Sequence, residues 1–137
     1  MNLLGLAVGQ KARRSKTVTA RDVELYAEIT GDRNPLHFDP AFAAGTRFGR
    51  LVAQGGITSG MLNALVAMDL PGPGTVFMSQ TLKYLAPTYL GDTLTAEVEV
   101  LSVKPDKPVC QLKATVTNQD GTVVLEGECW TYTMRPA

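Results

Sequence analysis

The chain has 137 residues, with 13 basic and 13 acidic side chains and no net charge. That length suits a single domain, 1–137, which buries roughly 68% of the surface its unfolded chain exposes. With no long basic tract, nucleic-acid binding has no electrostatic support.

The opening, MNLLGLAVGQKARR, puts its few apolar residues before its charges. That is the reverse of a secretory signal, and the run is too short to span a bilayer. The chain reads as a cytosolic protein with no membrane partner, in which Cys110 and Cys129 stay reduced. The first half then reads as helical and irregular, the second half as strands.

In TARDVELYAEIT, Thr19 is a good N-cap and Asp22 stands three residues on, the spacing of a capping box. Val23, Tyr26, Ala27 and Thr30 share one helical face, and Gly31 can close the helix in the left-handed conformation. GDRNPLHFDP follows, so rich in breakers that it reads as a turn rather than as part of a helix or strand. In DPAFAAG, Asp39 caps, Pro40 takes the first helical position and Gly45 ends a short helix. From 55 to 70, GGITSGMLNALVAMDL carries no charge before Asp69 and is apolar nearly all round, which predicts a buried helix. Taken from Gly56 to Asp69, it would run ~21 Å, and PGPG stops it.

Strands follow. VFMSQTLKYL (76–85) is one candidate. In 94–100, 110–117 and 123–129 apolar and polar residues alternate, as in antiparallel strands covering a core on one side. A two-residue hairpin loop at Asp120–Gly121 places Gln119 opposite Thr122. Val116 then faces Leu125, Ala114 faces Gly127 and Leu112 faces Cys129, so apolar or small residues meet on one face. Cys110 falls diagonal to Cys129, at a spacing of ~7–8 Å that excludes an unstrained disulfide. One buried helix and a one-faced antiparallel sheet predict an α+β arrangement in which the sheet wraps the helix. Its open edges make self-association plausible.

The single histidine, His37, lies five residues after Asp32, in a segment that Pro35 pushes out of helical geometry at Asn34. Asp32 and His37 can project from this turn into a common space as an acid–base pair. Equally, aspartate and asparagine are ordinary turn formers, and the histidine can simply fill a hydrogen-bonding niche. One histidine with no nearby cysteine makes no metal ligand set.

YAEITGDRNPLHFDPAFA, residues 26–43, closely resembles the motif of the MaoC-like dehydratases and (R)-specific enoyl-CoA hydratases. The resemblance continues through FGRLVAQGGITSGML, LKYLAPTYLGDTLTAEVEV and the last strands. It implies a hotdog fold, an antiparallel sheet around one long central helix, and at least a homodimer with active sites near the subunit interface. It implies that Asp32 and His37 are the catalytic pair, activating a water that adds to the β-carbon of a trans-2-enoyl thioester. The reverse reaction dehydrates an (R)-3-hydroxyacyl thioester. No cofactor is implied beyond the coenzyme A carried by the substrate, and acyl carrier protein is the alternative carrier.

Addition at the β-carbon drives charge onto the thioester oxygen, which needs a donor. Gly55 and Gly56 open the buried helix, whose free N–H groups and positive dipole end suit that charge; they also allow a tight helix entry. Gly55 matches the family's oxyanion donor. The residue before it, often histidine in the family, is Gln54 here, which hydrogen-bonds but does not titrate near neutral pH. This departure bears on substrate choice and water positioning. Asn34 orients the loop or merely forms the turn before Pro35. Tyr26, Phe42, Phe48 and Met61 are candidate walls for the acyl chain or ordinary core. Arg33, Arg47, Arg50, Lys83 and Lys113 are unranked candidates for coenzyme A phosphates. The fold also hosts thioesterases, and a non-catalytic acyl-binding module is a further reading.

Overall fold

The computed structural model describes residues 2–135. Its elements in chain order are β1 (Lys11–Thr17), α1 (Ala20–Thr30), α2 (Pro35–Phe38), α3 (Pro40–Ala44), α4 (Gly55–Met68), β2 (Thr75–Tyr84), β3 (Thr93–Val103), β4 (Val109–Thr117) and β5 (Val123–Thr133). The strands form one five-stranded antiparallel sheet in the order β1-β3-β4-β5-β2.

The sheet's inner face carries Leu94, Ala96, Val98 and Val100 of β3, Cys110, Leu112, Ala114 and Val116 of β4, and Leu125 and Cys129 of β5, all buried. These pack with Met61, Leu62, Leu65 and Val66 of α4 in one core cluster. Alternation in the strands and an apolar helix thus build the hotdog arrangement, with α4 as the wrapped helix. Its 14 residues start at Gly55, one position earlier than expected.

Helix α1 forms as its sequence dictates. The Thr19 hydroxyl accepts from the Asp22 N–H (3.2 Å), and the Asp22 carboxylate accepts from the Thr19 N–H (2.9 Å). Gly31 ends the helix at φ 82°, a left-handed conformation that only glycine adopts without penalty.

Three elements differ from the sequence reading. β1 was not anticipated, because KARRSKT has one apolar residue, Ala12, in seven. It is an edge strand, held to β3 by backbone pairing and by ion pairs of Lys11 and Arg13 with Glu97, and its charges blunt an exposed edge. The second is the stretch read as a pure turn: it contains α2, one helical turn with Pro35 at its first position and Asn34 as N-cap. Proline starts this helix instead of breaking it, since at that position its missing N–H has no intrahelical partner to lose. The third is the β4–β5 hairpin. Its pairings Cys110↔Thr131, Leu112↔Cys129, Ala114↔Gly127 and Val116↔Leu125 are those expected. The loop is longer, however: the Asn118 N–H donates to Thr122 O (3.0 Å), leaving Gln119, Asp120 and Gly121 as the tip. A register shift between Val116 and Thr117 compensates, and Val124, expected on the outer face, turns inward. Both cysteines are free and buried.

Candidate active site

The site is assembled from the end of α1, the one-turn helix α2 and the entry to α4. Each turn is held by side chains on the spot. The Thr30 hydroxyl donates to Tyr26 O (2.8 Å) and accepts from the Asp32 N–H (3.2 Å). Asp32 Oδ1 accepts from the Asn34 N–H (3.2 Å), and Asn34 Oδ1 accepts from the Leu36 N–H (3.0 Å). Consecutive turns of this kind are what aspartate and asparagine form by bonding the backbone two residues on. They aim the Asp32 carboxylate at the side chain that α2 carries.

That side chain is His37. Its Nδ1 lies 2.6 Å from Val52 O. The Val52 N–H in turn donates to Leu36 O (3.1 Å), so one residue of the 51–54 segment is bonded to α2 through both its backbone groups. A carbonyl only accepts, so Nδ1 carries a proton, and in the neutral form of the ring the lone pair lies at Nε2. Nε2 lies 3.6 Å from Asp32 Oδ1. His37 is 8% exposed, whereas the Asp32 side chain is 41% exposed, so the pair has a buried and an open member. With the ring neutral, two acceptors face each other across this space. A water molecule, with two O–H donors, satisfies both at once.

Beside the pair, α4 begins. Gln54 is its N-cap residue but gives the first turn no side-chain hydrogen bond. The leading N–H groups therefore lack the usual cap and stand at the positive end of the helix dipole. Gly55 is exposed and lines a cavity of about 330 Å³ together with Leu36, Arg47, Phe48, Val52 and Thr58. The far wall is Tyr84 to Thr88, the end of β2 and the loop after it. Neither Asp32 nor His37 lines this cavity; it meets their frame at Leu36, Val52 and Gly55. The two glycines differ in why they are glycine. A Cβ on Gly56 would fall 1.7 Å from Tyr26 Oη, whereas one on Gly55 would come 2.9 Å from Tyr84 Cε1, part of an exposed ring. Gly56 is needed for packing under Tyr26, and Gly55 leaves the helix start bare.

The other expected residues separate. Gln54 is buried, its Nε2 donating to Val23 O (3.0 Å) and to Asp32 O (3.4 Å). Of the candidate acyl walls, Phe48 lines the cavity. Tyr26 and Met61 line a different groove between α1 and α4, and Phe42 is exposed. Among the candidate cations, Arg33 is paired with Glu24 (2.9 Å) and Arg50 lies 4.0 Å over the Tyr89 ring. Lys83 and Lys113 stand with Glu126 and Glu128 around another hollow, and Arg47 alone lines the cavity. The stretch 84–88 carried no site assignment, although Pro87 marks an end to the strand before it. No group of three or more His, Cys, Asp or Glu side chains that could hold a metal occurs among the described residues.

A model of the MaoC-like domain matches residues 6–124. The chain belongs to the MaoC-like domain family. Over 128 residues, covering 93% of this chain and 96% of the relative, it is 41% identical to an (R)-specific enoyl-CoA hydratase of Aeromonas caviae. It is 43% identical over 123 residues to a 3-hydroxybutyryl-CoA dehydratase of Methylorubrum extorquens, covering 90% of this chain and 78% of that one. The solved structure of the (R)-hydratase from A. caviae superposes with a TM-score of 0.91 at 39% identity, over 95% of this chain and 98% of that one. As a MaoC-like protein, the chain shares with these relatives both its fold and nearly its full length.

Proposed function

We propose that this MaoC-like protein is an (R)-specific enoyl-CoA hydratase that also runs the reverse dehydration of (R)-3-hydroxyacyl-CoA. One observation carries the reading: the Asp32 carboxylate and Nε2 of His37 face each other at 3.6 Å, with the other ring nitrogen committed to Val52 O. Water held between them donates to both. As its oxygen attacks the β-carbon, the pair removes one proton and the C=C electron pair moves toward the thioester, leaving an enolate oxygen. The uncapped N–H of Gly55 supports the negative charge there. The protonated member then returns its proton to the α-carbon. One O–H bond and the π bond break, and one C–O and one C–H bond form, so no other proton source is required. The (R) outcome rests on the similarity to (R)-specific relatives.

The cavity next to Gly55 suits a short acyl group or the thioester arm, and Arg47 at its wall suits a coenzyme A phosphate. Tyr84 and Leu85, 57% and 52% exposed, line that cavity at the end of β2, an open edge of the sheet. Pairing of β2 with β2 of a second copy would bury this edge and enclose the mouth, which supports a homodimer. Buried, reduced cysteines fit a cytosolic enzyme.

The test is turnover of crotonyl-CoA, followed as loss of the conjugated absorbance, with chiral analysis of the product. The reading expects (R)-3-hydroxybutyryl-CoA. Release of free thiol without hydration would assign a thioesterase instead, tight binding without turnover a non-catalytic module, and strong preference for the acyl-carrier-protein thioester the alternative carrier.

A further inference from the structure

Gln54 is the residue before Gly55, and its surroundings define a job separate from substrate contact. It is 1% exposed. Both neighbours of its Nε2, Val23 O on α1 and Asp32 O in the catalytic loop, are acceptors. Turning the amide over would set a third oxygen against those two, so its orientation is fixed by chemistry. The amide thus ties α1 and the Asp32 loop to the entry of α4, with its own Oε1 buried and unpartnered. The backbone of Asp32 is then held on both sides of its Cα, by the Thr30 hydroxyl at its N–H and by Gln54 at its carbonyl, while the Asn34 N–H holds the carboxylate.

We propose that Gln54 is a positioning residue whose double donation sets the Asp32 carboxylate at the distance from His37 that one shared water requires. The proposal rests on the hydratase reading of that pair. It explains why glutamine serves: the position needs a buried donor. An error near 1 Å in such a constellation costs on the order of 100-fold in rate.

The experiment compares wild type with Gln54→Leu, Gln54→Glu and Gln54→His on crotonyl-CoA across pH, with activity expressed per folded molecule from circular dichroism. Gln54→Leu is expected to lose about 10- to 100-fold in kcat with KM little changed. Gln54→Glu keeps the shape, but its ionised form sets a carboxylate oxygen against two carbonyls. Its activity is expected to fall as pH rises through a range where wild type is flat, and to return on acidification of the same sample. Gln54→His restores a ring N–H donor and is expected to recover most of kcat. The ionisable groups flanking the bridged carbonyls, Asp22, Glu24, Arg33 and His37, with Asp32 itself and Tyr26, are common to all variants, so the wild-type profile is the reference. If Gln54→Leu fails to fold, the pH dependence of Gln54→Glu decides. A kcat within twofold of wild type for the Leu variant and a flat profile for the Glu variant would overturn the positioning role. A raised KM at constant kcat would assign Gln54 to substrate binding instead. Absence of wild-type turnover would remove the hydratase reading and this proposal with it.

Discussion

The ring of His37 is oriented by a carbonyl fifteen residues further along the chain. A side chain can be recognised in a sequence, and Asp32 and His37 were legible there as a pair. Val52 O was not, because every residue offers the same backbone carbonyl; only the fold says which one meets Nδ1. Gln54 was legible as a side chain next to Gly55, but its inward direction depends on where α1 lies. Asp32→Asn and His37→Ala should each lower kcat by about 10²- to 10⁴-fold, the usual loss for a positioned acid–base group. Their circular dichroism should remain that of wild type, because the Asp32 side chain is half exposed and α2 has its own caps.

Among the elements, those with local rules were read best. The capping box of α1 is present atom for atom. Burial alone would push the Asp22 carboxyl up, but the Thr19 N–H, Lys16 and the Thr19 hydroxyl outweigh it and hold it below the usual carboxylate range. A lowered carboxyl contributes stability that is present above its unfolded pKa and lost as pH falls through the folded one. Thr19→Ala removes the hydroxyl that accepts from the Asp22 N–H and should cost about 1 kcal/mol in urea denaturation, with an unchanged m value; Asp22→Ala should lose stability at neutral pH, and that loss should shrink in acid. β1 and α2 escaped because their signals are non-local or ambiguous. β1 is a strand because β3 needs a neighbour, and Pro35 is a breaker or a starter depending on the cap before it. The hairpin was read in correct register through a wrong loop, since a three-residue tip plus one bulge gives the same pairing as a two-residue tip.

For the molecule as a whole, the core explains both cysteines and the open edge. Burial pushes the Cys110 thiol up to about 11, and burial together with the neighbouring Cys110 pushes Cys129 up to about 12. Both thiols should resist a thiol-specific reagent at pH 8 until denaturant is added. The folded chain keeps these protons when the unfolded chain, with an ordinary thiol pKa of about 8.5, has released them. Stability should accordingly be complete below that value and fall as pH rises through 11 and 12, visible as a declining urea midpoint. At the edge, β2 exposes Val76, Met78 and Tyr84. Val76→Lys with Met78→Lys should shift a dimer toward monomer in sedimentation, and a wild type already monomeric at micromolar concentration would contradict the proposed pairing.

The central claim, that a carboxylate and an imidazole share one water, is tested most directly by a double-mutant cycle on crotonyl-CoA hydration with Asp32→Asn, His37→Ala and the pair combined. If both side chains hold and deprotonate the same molecule, removing the second after the first costs little, and the double variant should fall within about tenfold of the worse single variant. Losses in kcat/KM that multiply across the two sites, or single variants that turn over like wild type, would contradict it.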